Sequence, residues 1–315
     1  MRQPVIKWVT MSCLSMYQMI IFAQDSIMTK MIAASVQLDT VVIMATRQGF
    51  SVEDFIRLVQ TDESLYSAFH HLRTATYRFE TAMTFSDKDQ RKKAGYQSVN
   101  KQTFDGQCRR MQVLSESAAG NFYKGRKLKH RYYTYDIYDR VFLTHDTVCQ
   151  HSNPTGTNGK DYTEPTIERH ISELKKLIFR PGERSNVPLI GRKTAIFSKD
   201  MIDLYDFTIL SDVYAGIPVY VFAATIKDAY RDRENKTVFK ELMTYFSKKD
   251  FQVMARAYRL SQKTAAYMFD VTMRVDLMKQ GERYFPEMVV YDGEWDIPTR
   301  KKEIGTFTVM FSDFR

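Results

Sequence analysis

The chain has 315 residues, of which 44% are apolar and 13% aromatic, with only 13 Gly and 8 Pro; this supplies a core and excludes a low-complexity or collagen-like chain. The formal charge is +9, and Arg2 and Lys7 stand in the first 24 residues without an acid, leaving +7 for the rest. That excess suits weak attraction to anionic envelope components and argues against nucleic-acid binding, which calls for a clustered basic patch.

Arg2 and Lys7 precede an apolar run from Trp8 to Ala23 that ends at the polar pair Gln24-Asp25. A basic start, a short apolar run and a small residue at the exit form the secretory pattern. Residues 1–23 are therefore expected to be a signal peptide cleaved after Ala23, exporting residues 24–315 as a single domain to the periplasm or cell envelope. An uncleaved anchor and a buried first helix are the alternatives, and Cys13 is a weaker candidate for lipid attachment. No second apolar run reaches spanning length. With the peptide removed, Cys108 and Cys149 remain, and an even pair in an oxidising compartment reads as a disulfide. Two separate buried thiols are the alternative.

Residues 36–46 are β-branched and read as a strand, and Asp39 to Thr46 is also similar to the short energy-coupling box of outer-membrane receptors. Ser51 with Asp54 is spaced as a helix capping box, and Val52, Phe55, Ile56 and Val59 follow at helical spacing. Thr61 is expected to cap a second helix carrying Leu65, Ala68, Phe69 and Leu72. The period then becomes two: Ala75, Tyr77, Phe79, Met83 and Phe85 alternate with polar residues as a half-buried strand. A turn at Asp87 to Lys93 leads to strands near 95–104 and 107–115. Residues 121–131 are basic and irregular, and Tyr135, Tyr138, Val141 and Phe142 predict a helix.

Asn153-Pro154, Gly156, Asn158-Gly159 and Pro165 mark a loop over 150–165, a possible division between two lobes. Thr166 caps a helix with Ile167, Ile171, Leu174, Leu177 and Ile178 on one face, ended by Pro181-Gly182. A short helix near Lys199 to Leu204 is possible in this pattern, and from 206 onward antiparallel strands follow. They are placed near 216–225, 237–246, 251–260, 266–278, 284–291 and 303–311, with turns such as Ser247-Lys248-Lys249-Asp250 and Asp292-Gly293-Glu294. On the strand at 266–278, Tyr267, Phe269, Val271, Met273 and Val275 share one face. Asp270, Thr272, Arg274 and Asp276 share the other, which is expected to be wet.

Few residues point to chemistry. His145, Cys149 and His151 could hold a metal or serve a thiol nucleophile, but a fourth ligand at recognisable spacing is missing, and a disulfide would consume Cys149. Gly156 to Lys160 departs from the phosphate-loop pattern, with Pro154 and Asp161 at the deciding positions. His70-His71 and Glu168 with His170 lack partner motifs. The carboxylate groups Asp200, Asp203, Asp206 and Asp292, Glu294, Asp296 sit where caps or turns explain them. Phe122 to Tyr133 interleaves bases with aromatics and reads as a solvated basic edge beside a tyrosine-rich core.

The segment Tyr245-Phe246-Ser247-Lys248-Lys249-Asp250-Phe251-Gln252-Val253 is similar to the strand, lysine-pair turn, strand element of the lipoprotein-carrier (LolA/LolB-like) half-barrel class. The strand from Phe269 to Val275 and the strand Tyr284-Phe285-Pro286-Glu287 follow in the same order. This resemblance covers about 75 residues in the C-terminal part and leaves the N-terminal part unaccounted for. It implies a curved antiparallel sheet whose concave face, plugged by helices, holds an acyl chain; no functional residue carries over from it.

The expectation is therefore an α+β domain, a large curved antiparallel sheet with helices packed on one face. The expected role is a non-enzymatic cell-envelope binding protein without cofactor or metal, its partner a lipid or lipoprotein acyl chain. Tyr267, Phe269, Val271, Met273 and Val275 form the candidate binding row, with ordinary core as the competing reading. An envelope scaffold without a small ligand is the alternative, and a hydrolase using His145 and Cys149 a third.

Overall fold

The computed structural model describes residues 49–125, 129–149, 177–186, 190–231, 235–264, 267–297 and 300–315. The expected signal peptide, the strand at 36–46, the loop at 150–165 and most of the helix after Thr166 lie outside the described residues. Among the described residues no helix is long and apolar enough to cross a membrane.

Two helices open the described chain, α1 (Val52–Thr61) and α2 (Ser64–Leu72). The capping box forms as expected: the Asp54 amide donates to Ser51 Oγ at 3.1 Å and the Ser51 amide to Asp54 Oδ2 at 3.0 Å. The second start differs from expectation. Thr61 donates its hydroxyl back to the Arg57 carbonyl at 2.8 Å and ends α1; the N-cap of α2 is Glu63, whose side chain makes no capping hydrogen bond, while Asp62 accepts from the Ser64 amide at 3.2 Å.

The remaining elements are β1 (Tyr77–Ser86), β2 (Lys92–Phe104), β3 (Arg109–Gly120), a small hairpin of β4 (Tyr123–Lys124) and β5 (Lys129–His130), and α3 (Tyr133–Phe142). After two short 3₁₀ turns at Gly191–Thr194 and Ile202–Leu204 come β6 (Tyr205–Tyr214), β7 (Ile217–Ile226), the one-turn helix α4 (Asp228–Arg231) and β8 (Phe239–Ser247). The series closes with β9 (Val253–Lys263), β10 (Met268–Gln280), β11 (Arg283–Asp296) and β12 (Glu303–Ser312). The possible helix near Lys199 is thus only a 3₁₀ turn, and β4–β5 gives the basic segment a structure its composition did not announce.

All strands except β4 and β5 join one antiparallel sheet of ten, in the order β3-β2-β1-β12-β11-β10-β9-β8-β7-β6. Strands β6 to β12 form the expected meander. The link between its two blocks is non-local: β1 pairs with β12 over Arg78↔Ser312 to Ser86↔Ile304. The sheet stays open, with β3 and β6 at its edges.

Helices cover one face. On α1, Phe55 is fully buried, stacked on Phe222 at 6.3 Å and edge-on to Tyr220 at 5.6 Å and Phe246 at 5.7 Å. Helix α2 packs on β11. Helix α3 sets Tyr138 and Phe142 against Phe307 on β12 at 5.9 and 6.0 Å, and the Tyr138 and Thr81 hydroxyls share a hydrogen bond of 2.8 Å. One apolar core runs from Phe55 to Phe311.

The start of α3 has no cap from its own segment; β12 supplies it. The Glu303 carboxylate accepts from the Tyr133 amide at 2.9 Å, the Thr134 amide at 2.8 Å and the Thr134 hydroxyl at 2.9 Å. A negative group on the exposed amides of a helix start satisfies donors that have no partner within the helix. Burial nonetheless pushes the Glu303 carboxyl up, against these hydrogen bonds. The approach is close enough to require glycine at position 305: a Cβ there would lie 2.5 Å from Thr134 Oγ1.

The expected wet face is only partly wet. Along β7, Tyr220, Phe222 and Ala224 enter the main core, while the alternate Val219, Val221 and Ala223 point the other way. They join Met243, Tyr245, Met254, Ala255 and Ala257 in a second buried cluster. Arg274 spreads over the rings of Tyr214 and Tyr245 at 5.1 and 5.2 Å and pairs with Asp276 at 2.7 Å, and Asp276 is 3% exposed. Because β7 is apolar at both sets of alternating positions, this end of the sheet buries both sides, and Arg274 and Asp276 are not solvated as their strand alone suggests.

Candidate functional site

The candidate row lies on β10 and the residue leading into it, facing the helix-covered side. Phe269, Val271 and Val275 are buried, at 4, 6 and 1% exposure, whereas Tyr267 and Met273 are half-buried at the margin of the same core. Tyr267 stacks on Phe269 at 6.3 Å, Phe269 meets Trp295 at 5.4 Å, and Trp295 meets Tyr133 edge-on at 5.1 Å. Trp295 donates its indole N–H to the Tyr291 hydroxyl at 2.6 Å, so its one polar atom is satisfied within the apolar wall. Tyr267 and Met273 are thus partly open, whereas Phe269, Val271 and Val275 are covered by neighbouring side chains.

Cys108 and Cys149 form the expected disulfide, closing a separation of 41 residues. Beside it, Arg109 and Val148 pair as an antiparallel bridge, each amide donating to the other's carbonyl at 2.9 and 3.0 Å. Cys149 is therefore not a thiol, and a nucleophile there is ruled out while the bond is intact. His145 turns instead to Asp139, 3.1 Å away, and His151 lies outside the described residues. No group of three His, Cys, Asp or Glu among the described residues is placed to hold a metal ion.

The other candidate residues have structural partners. The ring of His71 contacts the Tyr284 carbonyl at 2.9 Å through Nδ1, and Asp200 pairs with Arg192 at 3.0 Å. Asp292, Gly293 and Glu294 lie within β11, paired on both sides, and not in the expected turn; Glu294 pairs with Lys302. Asp292 is raised by burial and by the neighbouring charges of Asp270 and Glu294. In the basic segment, Phe122, Tyr132 and Tyr133 are buried at 0, 6 and 1% exposure, while Lys124, Lys129 and Arg131 are exposed.

A cavity of about 40 Å³ with a mixed polar and apolar lining lies between α2, the β1–β3 block and α3. Arg73, Arg109, Tyr77, Gln102 and Thr144 line it, together with apolar side chains that include Phe69, Phe142 and Phe179. Gln102 donates through Nε2 to the Leu72 and Ala75 carbonyls at 2.6 and 3.0 Å, which fixes its amide. Arg109 Nε donates to Thr144 Oγ1 at 3.4 Å, and Arg109 is 2% exposed. Burial pulls the Arg73 guanidinium down to about 10, with the Arg109 charge adding to the effect, and burial likewise lowers Arg109. Nothing in the local sequence marks these residues as a group. Adjacency to a bridging cysteine is the one signal that could have singled out Arg109.

No family model matches the chain, and no curated protein matches it. Similar solved structures include a DUF1329 family protein from Desulfovibrio piger, with 10% identity, 81% of this chain and 93% of that chain covered, and a TM-score of 0.24. A LolA superfamily protein from Nitrosomonas europaea has 8% identity, 80% and 91% coverage and a TM-score of 0.23. A domain described as an outer membrane lipoprotein-sorting protein, from Vibrio parahaemolyticus, has 8% identity, 84% and 90% coverage and a TM-score of 0.26. The latter two fall in the class that the segment from Tyr245 onward resembles. Likeness at these scores carries no argument about activity or ligand; the α+β architecture is established by the strand pairing itself, a broad open antiparallel sheet with helices on one face.

Proposed function

We propose that the chain is a non-enzymatic binding protein of the cell envelope that holds a lipid or lipoprotein acyl chain against the helix-covered face of its sheet. The observation that carries this reading is the margin of the β10 row, where Tyr267 and Met273 stay half-buried beside the sealed Phe269, Val271 and Val275. An acyl chain laid there would gain roughly 25 cal/mol for each Å² of apolar surface removed from water. The disulfide supports export, since such bonds persist in oxidising compartments. Native mass spectrometry of the gently purified full chain tests the reading. A bound mass lost on delipidation, and regained with a fatty acid, supports it; a bare protein that takes up no fatty acid at saturation refutes it.

A scaffold without a small ligand is the second reading, favoured by the near-complete burial of Phe269, Val271 and Val275. Tyr267→Ala and Met273→Ala discriminate. Weakened fatty-acid uptake with an unchanged circular dichroism spectrum belongs to a binding row, and a loss of stability alone belongs to core.

A further inference from the structure

We infer that the end of the sheet at which β3, β1 and β11 finish docks on an anionic lipid surface through lysines gathered from three adjacent connections. The strand order β3-β2-β1-β12-β11 brings together the segment after β3, the β1–β2 turn and the β11–β12 turn. Gly120 at the end of β3 lies opposite Ala94, Ser86 lies opposite both Lys92 and Ile304, and Trp295 lies opposite Glu303. The Asn121 amide also donates to the Lys93 carbonyl at 3.0 Å, tying the segment after β3 to the start of β2. Five strands at a spacing of about 4.8 Å make this rim about 20 Å wide, a breadth that suits a plane better than a narrow groove.

Lys88, Lys92, Lys124, Lys129 and Lys301 are exposed along this rim, and among the described residues none of the five is paired with an acid. The local acids are engaged elsewhere. Asp87 holds Arg91 and Lys93 at 3.3 and 2.9 Å, Asp89 holds Arg91 at 2.6 Å, and Asp136 holds Arg300 at 2.9 Å. Glu294 pairs with Lys302, Glu303 faces the start of α3, and Glu116 accepts the Tyr123 hydroxyl. Asp296 is an exposed acid beside them, so positive charge is in excess here. The turns at the opposite end are balanced differently, with Lys248 and Lys249 against Asp105, Asp250 and Glu282. Exposed lysines are attracted to an anionic leaflet within about a Debye length of its surface. The choice of lipid over another polyanion rests on the acyl-chain reading given above. The next connection along the rim, β9–β10, carries Tyr267, part of the half-buried margin of the β10 row. Docking through the lysines sets that margin beside the bilayer.

The test is sedimentation of the full-length, oxidised protein with vesicles of phosphatidylglycerol and phosphatidylcholine in equal parts, and with vesicles of phosphatidylcholine alone. Binding is expected to the mixed vesicles only, and to be lost at about 0.5 M salt, where screening is short-ranged. Lys92→Gln, Lys124→Gln and Lys301→Gln together are expected to weaken it about a hundredfold, about fivefold for each lysine. Lys249→Gln, Lys279→Gln and Arg283→Gln remove the same charge at the other end. They should change binding by no more than about twofold, since they lie a strand's length away, beyond the Debye length at physiological salt. Failure to bind the mixed vesicles overturns the proposal, as does binding that survives in the first triple variant or falls equally in both. Retention on dextran sulfate without vesicle binding also overturns it and assigns the lysines to another polyanion. Fatty-acid uptake is scored separately by native mass spectrometry. Uptake without vesicle binding overturns the docking alone, whereas vesicle binding without uptake supports the docking and refutes only the acyl-chain reading.

Discussion

The corner between α1 and α2 is held to the sheet by one ion pair, and its removal offers a quantitative test of the packing. Arg256, on β9, is fully buried, and its Nη2 donates to Asp62 Oδ2 at 3.2 Å while Nε donates to Thr244 Oγ1 at 3.1 Å. The Asp62 side chain retains 9% exposure and also accepts the Ser64 amide through Oδ1. Asp62→Asn keeps an oxygen for Ser64 but removes the charge and turns an amide donor toward the guanidinium. Coulomb's law at 3.2 Å and an effective dielectric constant of about 20 gives about 5 kcal/mol for the lost attraction. Breaking buried pairs costs about 3–5 kcal/mol, because the remaining charge stays buried. Asp62→Asn is therefore expected to lower unfolding stability by about 3 kcal/mol or more in urea, followed through circular dichroism and Trp295 fluorescence. Adding Arg256→Met should restore most of that loss, since the stranded charge is then gone. A cost below about 1 kcal/mol, or a double variant no more stable than the single one, would refute a buried Asp62–Arg256 pair.

Replacing Cys108 and Cys149 by Ser should lower stability by about 4 kcal/mol in the loop-entropy account for a 41-residue separation, read as the urea midpoint with and without reductant. Glu303→Ala should cost about 2 kcal/mol by uncapping α3, and Gly305→Ala should destabilise the same junction by steric conflict with Thr134; thermal melts of the two variants check both. Burial raises the Asp136 carboxyl from its ordinary 3.8 to about 6 although Arg300 lies 2.9 Å away. Its contribution to stability is therefore complete below about pH 3.8 and is lost as the pH rises through about 6. The stability of Asp136→Asn relative to the unaltered chain should accordingly grow by about 2–3 kcal/mol between pH 4 and pH 7, and parallel pH profiles would contradict this. Phe55→Ala, which removes a fully buried ring from α1, should cost about 3–5 kcal/mol in the same urea assay.

The strands of the second half were legible because one-sided burial imprints a period of two, which β12 keeps throughout and β11 keeps from Met288 to Trp295. The Ser51–Asp54 box was legible because all its parts lie within one turn of chain. Features built across long separations left no such imprint. Glu303 caps a helix 170 residues upstream, β1 pairs with β12 as well as with its chain neighbour β2, and Arg73 and Arg109 line one cavity only through the fold. The double-sided burial of β7 was missed for a different reason: a strand apolar at nearly every position shows no alternation, so its residues do not reveal which side is covered. For the β10 row, position on the inward face was readable from spacing, whereas how tightly each residue is covered depends on elements packed over it.

The place of β12 bears on how the chain can assemble. This strand is among the last in sequence yet occupies the fourth position of the sheet, between β1 and β11. Shortening the chain before Glu303 would therefore split the sheet through its middle, leaving a three-stranded meander and a six-stranded one with raw edges facing each other. Closing this seam joins residues more than two hundred positions apart, which gives it the largest loop-closure cost of any pairing in the sheet. Until it closes, both halves expose unpaired backbone, so a chaperone that masks strand edges would act most usefully in that interval.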